Sequence, residues 1–207
     1  MKKSYLFLVL VTSLVLLDFF LKKTFKMDEL LYESLAKQFT INQLESIYAL
    51  NKNWSWLTYL LSPFLIGFKI LLVSSILYAG FFFYERKIEF GQLLYISIKC
   101  EFLFVLIPVI KFCWFYNIAN YTFEDIQYFY PLSALYFIGH KGLDPWWIYP
   151  FQTLNLFELA YWFILAYFLG KELKISMDKS FKVVASSYVP MLFSWVILIM
   201  FLTINNS

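Results

Sequence analysis

LTYLLSPFLIGFKILLVSSILYAGFFFY, residues 57–84, decides the fold class. It holds a single charge, Lys69, in 28 residues, more than the roughly 20 apolar residues needed to cross a bilayer. The excess length implies tilt or protrusion. Similar runs lie on both sides of it. Residues 5–21 are apolar and flanked by Lys2, Lys3, Lys22 and Lys23. No small-residue cleavage site follows that run, so it reads as a retained anchor rather than a signal peptide. Residues 92–115 (with Pro108), 150–170 and 182–204 (with Pro190) complete a set of five spans. Proline is tolerated there when neighbouring helices satisfy the freed carbonyl.

The expectation is an all-α, polytopic integral membrane helix bundle of about five transmembrane helices with amphipathic interfacial helices beside it. The chain is 61% hydrophobic and 23% aromatic, against about 45–50% apolar for soluble domains. Three parts follow: an anchor over 1–26, an amphipathic interfacial segment over 27–56, and a four-helix membrane core over 57–207 with an aromatic outer loop at 116–149. In the second part Leu30, Leu31, Leu35, Phe39, Leu44, Ile47 and Leu50 recur at near-helical spacing among charges. That pattern predicts one or two helices lying at the interface, broken near 40–42. In the aromatic loop, an interfacial helix over 123–136 and a turn over 140–145 are expected. Trp54, Trp56, Trp114, Tyr116, Trp146, Trp147 and Tyr149 sit where apolar runs end, as interfacial aromatics do.

The net charge of +3 gives no nucleic-acid footprint. The partners implied are the lipid bilayer and membrane proteins. With the N-terminus in the cytoplasm, the inner side carries Lys2, Lys3, Arg86, Lys87, Lys171, Lys174, Lys179 and Lys182. The outer side then carries Lys22, Lys23, Lys26, Lys37, Lys52 and Lys141. Both tight loops are basic and fall inside, so the expectation is a multi-pass protein of the inner (cytoplasmic) membrane, N-terminus cytoplasmic. The loop Glu85-Arg86-Lys87-Ile88-Glu89-Phe90 resembles Glu172-Leu173-Lys174-Ile175-Ser176-Met177. Either both are ordinary basic loops, or a helical hairpin is duplicated about an axis along the membrane normal.

Ionisable residues inside spans carry the functional information, because each costs several kcal/mol by insertion scales. They are Asp18, Lys69, Lys99, Glu101, Lys111 and Glu158. Asp18 and Lys111 lie near span ends and can reach the interface. Gln152, Asn155 and Glu158 fall at i, i+3 and i+6, which on a continuous helix is one polar face. Glu158 would then pair with Lys69 or Lys99, so Gln152, Asn155, Glu158, Lys69 and Lys99 form the candidate buried polar network. It either holds helices together or lines a proton, ion or substrate path.

No catalytic, cofactor or metal site is expected. One histidine, His140, excludes an H-E-x-x-H zinc site. A Cys–His–Arg transpeptidase needs converging groups, and Arg86 and His140 fall on opposite predicted sides. Only Asp18 is an intramembrane aspartate, and neither a P-loop nor a dinucleotide fingerprint occurs. Cys100 and Cys113 lie in one span at no metal spacing and read as buried or lipid-facing thiols.

From Pro150 onward the sequence resembles the bacterial Yip1-like membrane proteins. The resemblance runs through Gln152-Thr153-Leu154-Asn155-Leu156-Phe157-Glu158, Trp162, Gly170-Lys171, Lys179-Ser180-Phe181 and Tyr188-Val189-Pro190, with a looser fit over 57–108. It implies about five membrane helices and no catalytic residues, and its eukaryotic members serve vesicle traffic as binding scaffolds. The first functional expectation is therefore a non-enzymatic scaffold or accessory subunit of an envelope or export assembly. The second is a small transporter or permease subunit using the polar stripe.

Overall fold

The structure is a computed structural model and describes residues 3–36, 39–84 and 88–206. Glu85, Arg86 and Lys87 of the repeat, and Lys2 and Lys37 of the charge comparison, lie outside the described residues. Every regular element among them is helical. In order these are α1 (Lys3–Thr24), α2 (Met27–Leu35), α3 (Ile41–Phe83), α4 (Phe90–Glu101), α5 (Leu106–Tyr116), α6 (Phe123–Tyr128), α7 (Ala134–Ile138), α8 (Pro145–Thr153), α9 (Leu156–Leu173) and α10 (Met177–Asn206). Four helical stretches of the described residues are long and apolar enough to cross a membrane: Lys3–Thr24, Ile41–Phe83, Phe90–Tyr116 and Met177–Asn205. The protein is thus an all-α, multi-pass membrane bundle. α9 is shorter, at 18 residues, and carries Glu158, Lys171 and Glu172.

α3, α4, α9 and α10 pack in a ring, α3 on α4, α4 on α9, α9 on α10 and α10 on α3. Their shared core holds Leu77 and Phe81, Leu93 and Ile96, Tyr161 and Leu165, and Val183 and Val184. In lipid the hydrophobic effect does not drive helices together, so close packing and polar contacts must. Gly80 provides one such approach, since a Cβ there would meet Ser187 Oγ at 2.8 Å and Val183 at 3.2 Å. A second is the buried meeting of the Ser74 and Ser97 hydroxyls at 3.1 Å between α3 and α4. α1 lies outside the ring, with Leu10 packed on Ile70 and Ile98. Its end, Leu21 and Phe25, packs on Phe115 and Ile126.

Three elements differ from the sequence expectation. Residues 41–52, expected as part of a separate interfacial segment, are the first turns of α3, which runs unbroken through residues 56 and 57. The expected interruption does occur just before them, where Thr40 and Gln43 form a capping box. Pro63 does not end α3, because the Ser62 hydroxyl donates to the Tyr59 carbonyl, the group a proline at 63 leaves without its helical donor, at 3.1 Å. The third span is a tandem of α4 and α5 joined by a 3-10 turn over Phe102–Val105. Pro108 lies four residues after Phe104, so its ring crowds that carbonyl and the tighter turn accommodates it. The expected helix over 123–136 is two short helices, α6 and α7, with Pro131 between them. The turn after α7 is present, with Gly139 and Gly142 at φ +85° and +81°, a region that glycine enters without strain.

Candidate functional site

The largest departure lies in the fourth expected span. Residues 150–170 are not one helix. α8 stops at Thr153, Asn155 is extended at φ −141° and ψ 161°, and α9 starts at Leu156. Asn155 caps α9, its Oδ1 accepting the Glu158 N–H at 2.7 Å, and its amide donates to the Gln152 carbonyl at 2.8 Å. The backbone groups released by the break are taken up by the aromatic loop. Ala134 N–H donates to the Leu154 carbonyl at 2.8 Å, and Leu156 N–H donates to the Leu132 carbonyl at 3.1 Å. Ser133 is fully buried between them and caps α7 through its own hydroxyl. Gln152, Asn155 and Glu158 therefore do not form a stripe on one helix face. They occupy the end of one helix, a cap, and the first turn of the next.

The break sets Glu158 in the first turn of α9, 8% exposed. Neither lysine expected as its partner reaches it. Its Oε1 accepts the Tyr188 hydroxyl from α10 at 2.7 Å and the Trp162 indole N–H at 3.1 Å. Lys69 instead donates to Glu101 Oε2 at 3.0 Å, while the Tyr161 hydroxyl donates to Glu101 Oε1 at 2.9 Å. Lys69 Nζ also stands 3.9 Å over the Phe104 ring. Lys99 leaves the group altogether, pairing with Glu172 at 2.9 Å and lying 4.0 Å over the Tyr95 ring. The reason is register. Glu101 on α4 faces α3 and α9 at the level of Lys69, whereas Lys99, two residues earlier, points elsewhere on the same helix. Asp18 lies in an i,i+4 pair with Lys22 at 2.8 Å. Of the thiols, Cys100 is buried and Cys113 exposed.

Lys69 and Glu158 line a cavity of about 650 Å³, within the range of small-molecule sites. Its walls are mostly apolar and come from α3 (Leu65, Leu72, Ile76), α5 (Ile107) and α10 (Met191, Leu192). Polar residues line it too: Lys69, Glu158 and Tyr188, with Tyr130, Tyr149, Gln152, Thr153 and Asn155. Trp195 donates to the Tyr149 hydroxyl at 2.9 Å, tying α10 to α8. Lys69 and Glu158 both lie roughly 20 Å along their helices from the C-terminal ends of α3 and α9, at about 1.5 Å per residue. That depth falls inside a hydrocarbon layer of about 30 Å that starts at those helix ends.

No family model, curated protein or solved structure matches the chain.

The site must then be read from its own chemistry. A second, smaller pocket lies in the aromatic loop and includes Asp125, Tyr128 and His140. Burial would raise the Asp125 carboxyl, but the Thr122 backbone N–H and hydroxyl, with Lys141 and His140 nearby, hold it below the usual carboxylate range. The His140 ring lies tilted against Tyr128, centroids 5.1 Å apart, and its Nε2 is buried without a partner among the described residues. The sequence reading passed over the Glu101 carboxyl as a network member, although its position inside a span was visible. It also missed Tyr161, Tyr188 and Trp162, because aromatic donors on a lipid-rich helix look like packing until a carboxylate is placed against them.

Proposed function

We propose that the chain is a non-enzymatic, multi-pass protein of the inner membrane, N-terminus cytoplasmic, that binds a small molecule within the bilayer as a small transporter or permease subunit. The observation that supports this reading is the apolar cavity of about 650 Å³ with a buried carboxylate in its wall. Buried ionisable groups facing a cavity mark solute paths in membrane proteins, and Thr153 and Asn155, on either side of the helix break, line the same space, as broken helices do in transporters. The test is native mass spectrometry of the chain released from its membrane in mild detergent. A stoichiometric small-molecule adduct that disappears in Met191→Trp, which fills the cavity, supports the reading. A chain that carries no adduct, and moves no solute when reconstituted alone in liposomes, overturns it.

A second reading is a scaffold or accessory subunit of an envelope or export assembly, in line with the Yip1-like resemblance. It is supported by the first turns of α3, where Ile41, Leu50, Trp54 and Trp56 are exposed on a helix of 43 residues. At about 1.5 Å per residue that helix spans about 65 Å, roughly twice the hydrocarbon thickness.

A further inference from the structure

One wall of the cavity already shows how it holds a positive charge. The Lys69 ammonium is bound by the Glu101 carboxylate at 3.0 Å and covered by the Phe104 ring at 3.9 Å. Glu158 repeats half of that arrangement. Its carboxylate is 8% exposed, both of its donors go to Oε1, and Oε2 receives no hydrogen bond from the described residues. Tyr130, Tyr149, Tyr188 and Trp195 also line the cavity. The charged groups near Glu158 are Lys69 and Glu101, and these two neutralise each other. An ionised carboxylate buried against mostly apolar walls is costly. A cation offsets that cost, and aromatic faces add to the attraction when water is excluded. A small hydrated metal ion would gain nothing from the long apolar wall that Leu65, Leu72, Ile76, Ile107 and Leu192 provide. A ligand with its own alkyl or aromatic tail would cover it.

We infer that the cavity takes a monovalent organic cation with an apolar tail, an alkyl amine or quaternary ammonium, its charged head at Glu158 and its tail along α3 and α10. This rests on the reading of the cavity as a ligand site.

The test uses the full chain in nanodiscs of zwitterionic phosphatidylcholine and equilibrium dialysis with three probes of one tail length: octyltrimethylammonium, 1-octanol and octanoate. The cation should bind saturably at one per chain, at least about tenfold more tightly than the other two, the scale of a desolvated cation–aromatic contact. Glu158→Gln should reduce cation affinity to that of the alcohol and leave the alcohol unchanged. Met191→Trp should abolish binding of both. If Glu158→Gln does not fold, the wild-type ranking of the three probes decides. Equal affinities, a preference for octanoate, or a cation preference that survives Glu158→Gln overturns the inference and leaves a cavity for apolar tails. Saturable binding of none of the three overturns the cavity reading as well.

Discussion

Glu101 is the residue on which the polar layer turns. It is 4% exposed, and its two oxygens take one donor each, Lys69 from α3 and Tyr161 from α9, so one carboxylate ties three helices. Removing one member of a buried ion pair typically costs about 3–5 kcal/mol, because the other charge stays buried alone. The Lys69 side chain is 45% exposed, which puts the expected loss for Glu101→Leu at the lower end, about 3 kcal/mol. Unfolding in mixed micelles should show that loss, and Lys69→Met combined with Glu101→Leu should recover most of it. Equal stability of the single and double variants would refute the pairing as a source of stability. The ionisable residues of this layer were legible individually, since each interrupts an apolar run. Their pairing was not, because it depends on the rotation of α4. A shift of two residues along a helix turns a side chain by about 200°, which separates Glu101 from Lys99.

At the scale of elements, four of the five expected spans are helices long and apolar enough to cross a membrane, because composition alone decides such runs. The break at residues 154 and 155 was missed for the converse reason. α8 is as apolar and aromatic as a span, so hydropathy passes through it without a mark. The signals present were the Asn155-x-x-Glu158 spacing of a helix start and Pro150 ahead of it. The sequence reading places Asn155 and Glu158 in a stripe on a continuous helix and Pro150 at the start of that span. The pairing of Leu132 and Ala134 with the break lies some twenty residues away in sequence, and no local pattern announces it. The α3–α10 contact yields a prediction of its own. Gly80→Ala places a methyl group against Ser187 Oγ and Cβ, at 2.8 and 2.9 Å before relaxation. Overpacking of this kind costs about 1–3 kcal/mol. Ser187→Gly in the same chain should restore stability, and an unchanged melting temperature for Gly80→Ala alone would show that the two helices do not approach this closely.

For the whole molecule, the chain order of the ring helices sets which ends face the same side. Gly80, near the end of α3, meets Val183 and Ser187 near the start of α10, and α9 reaches α10 through 174–176, so the ends of α3 and α9 emerge on one face of the bundle. Under the proposed orientation that face is cytoplasmic. Single cysteines at Glu89 and Ser176, introduced after Cys100 and Cys113 are replaced by alanine, should resist an impermeant maleimide in intact cells and react once the membrane is opened. A cysteine at Lys141 in the aromatic loop should react from outside. Reversed labelling at all three positions would invert the topology while leaving the helix packing intact.

One helix serves as both a cavity wall and a projecting rod. Ile41 and Lys69 belong to the same α3, about 40 Å apart at about 1.5 Å per residue. Near Pro63 the rod lacks one backbone hydrogen bond and is held there by a serine hydroxyl. That makes α3 a lever with a compliant joint placed just ahead of Leu65, where the cavity begins. Force or docking at the tip, around Ile41 to Trp56, would be taken up first as a change of angle at that joint, six residues before Lys69. A ligand pressing on Leu65 or Lys69 would act on the far side of the same joint, and its occupancy would be reported at the tip as a change in its angle.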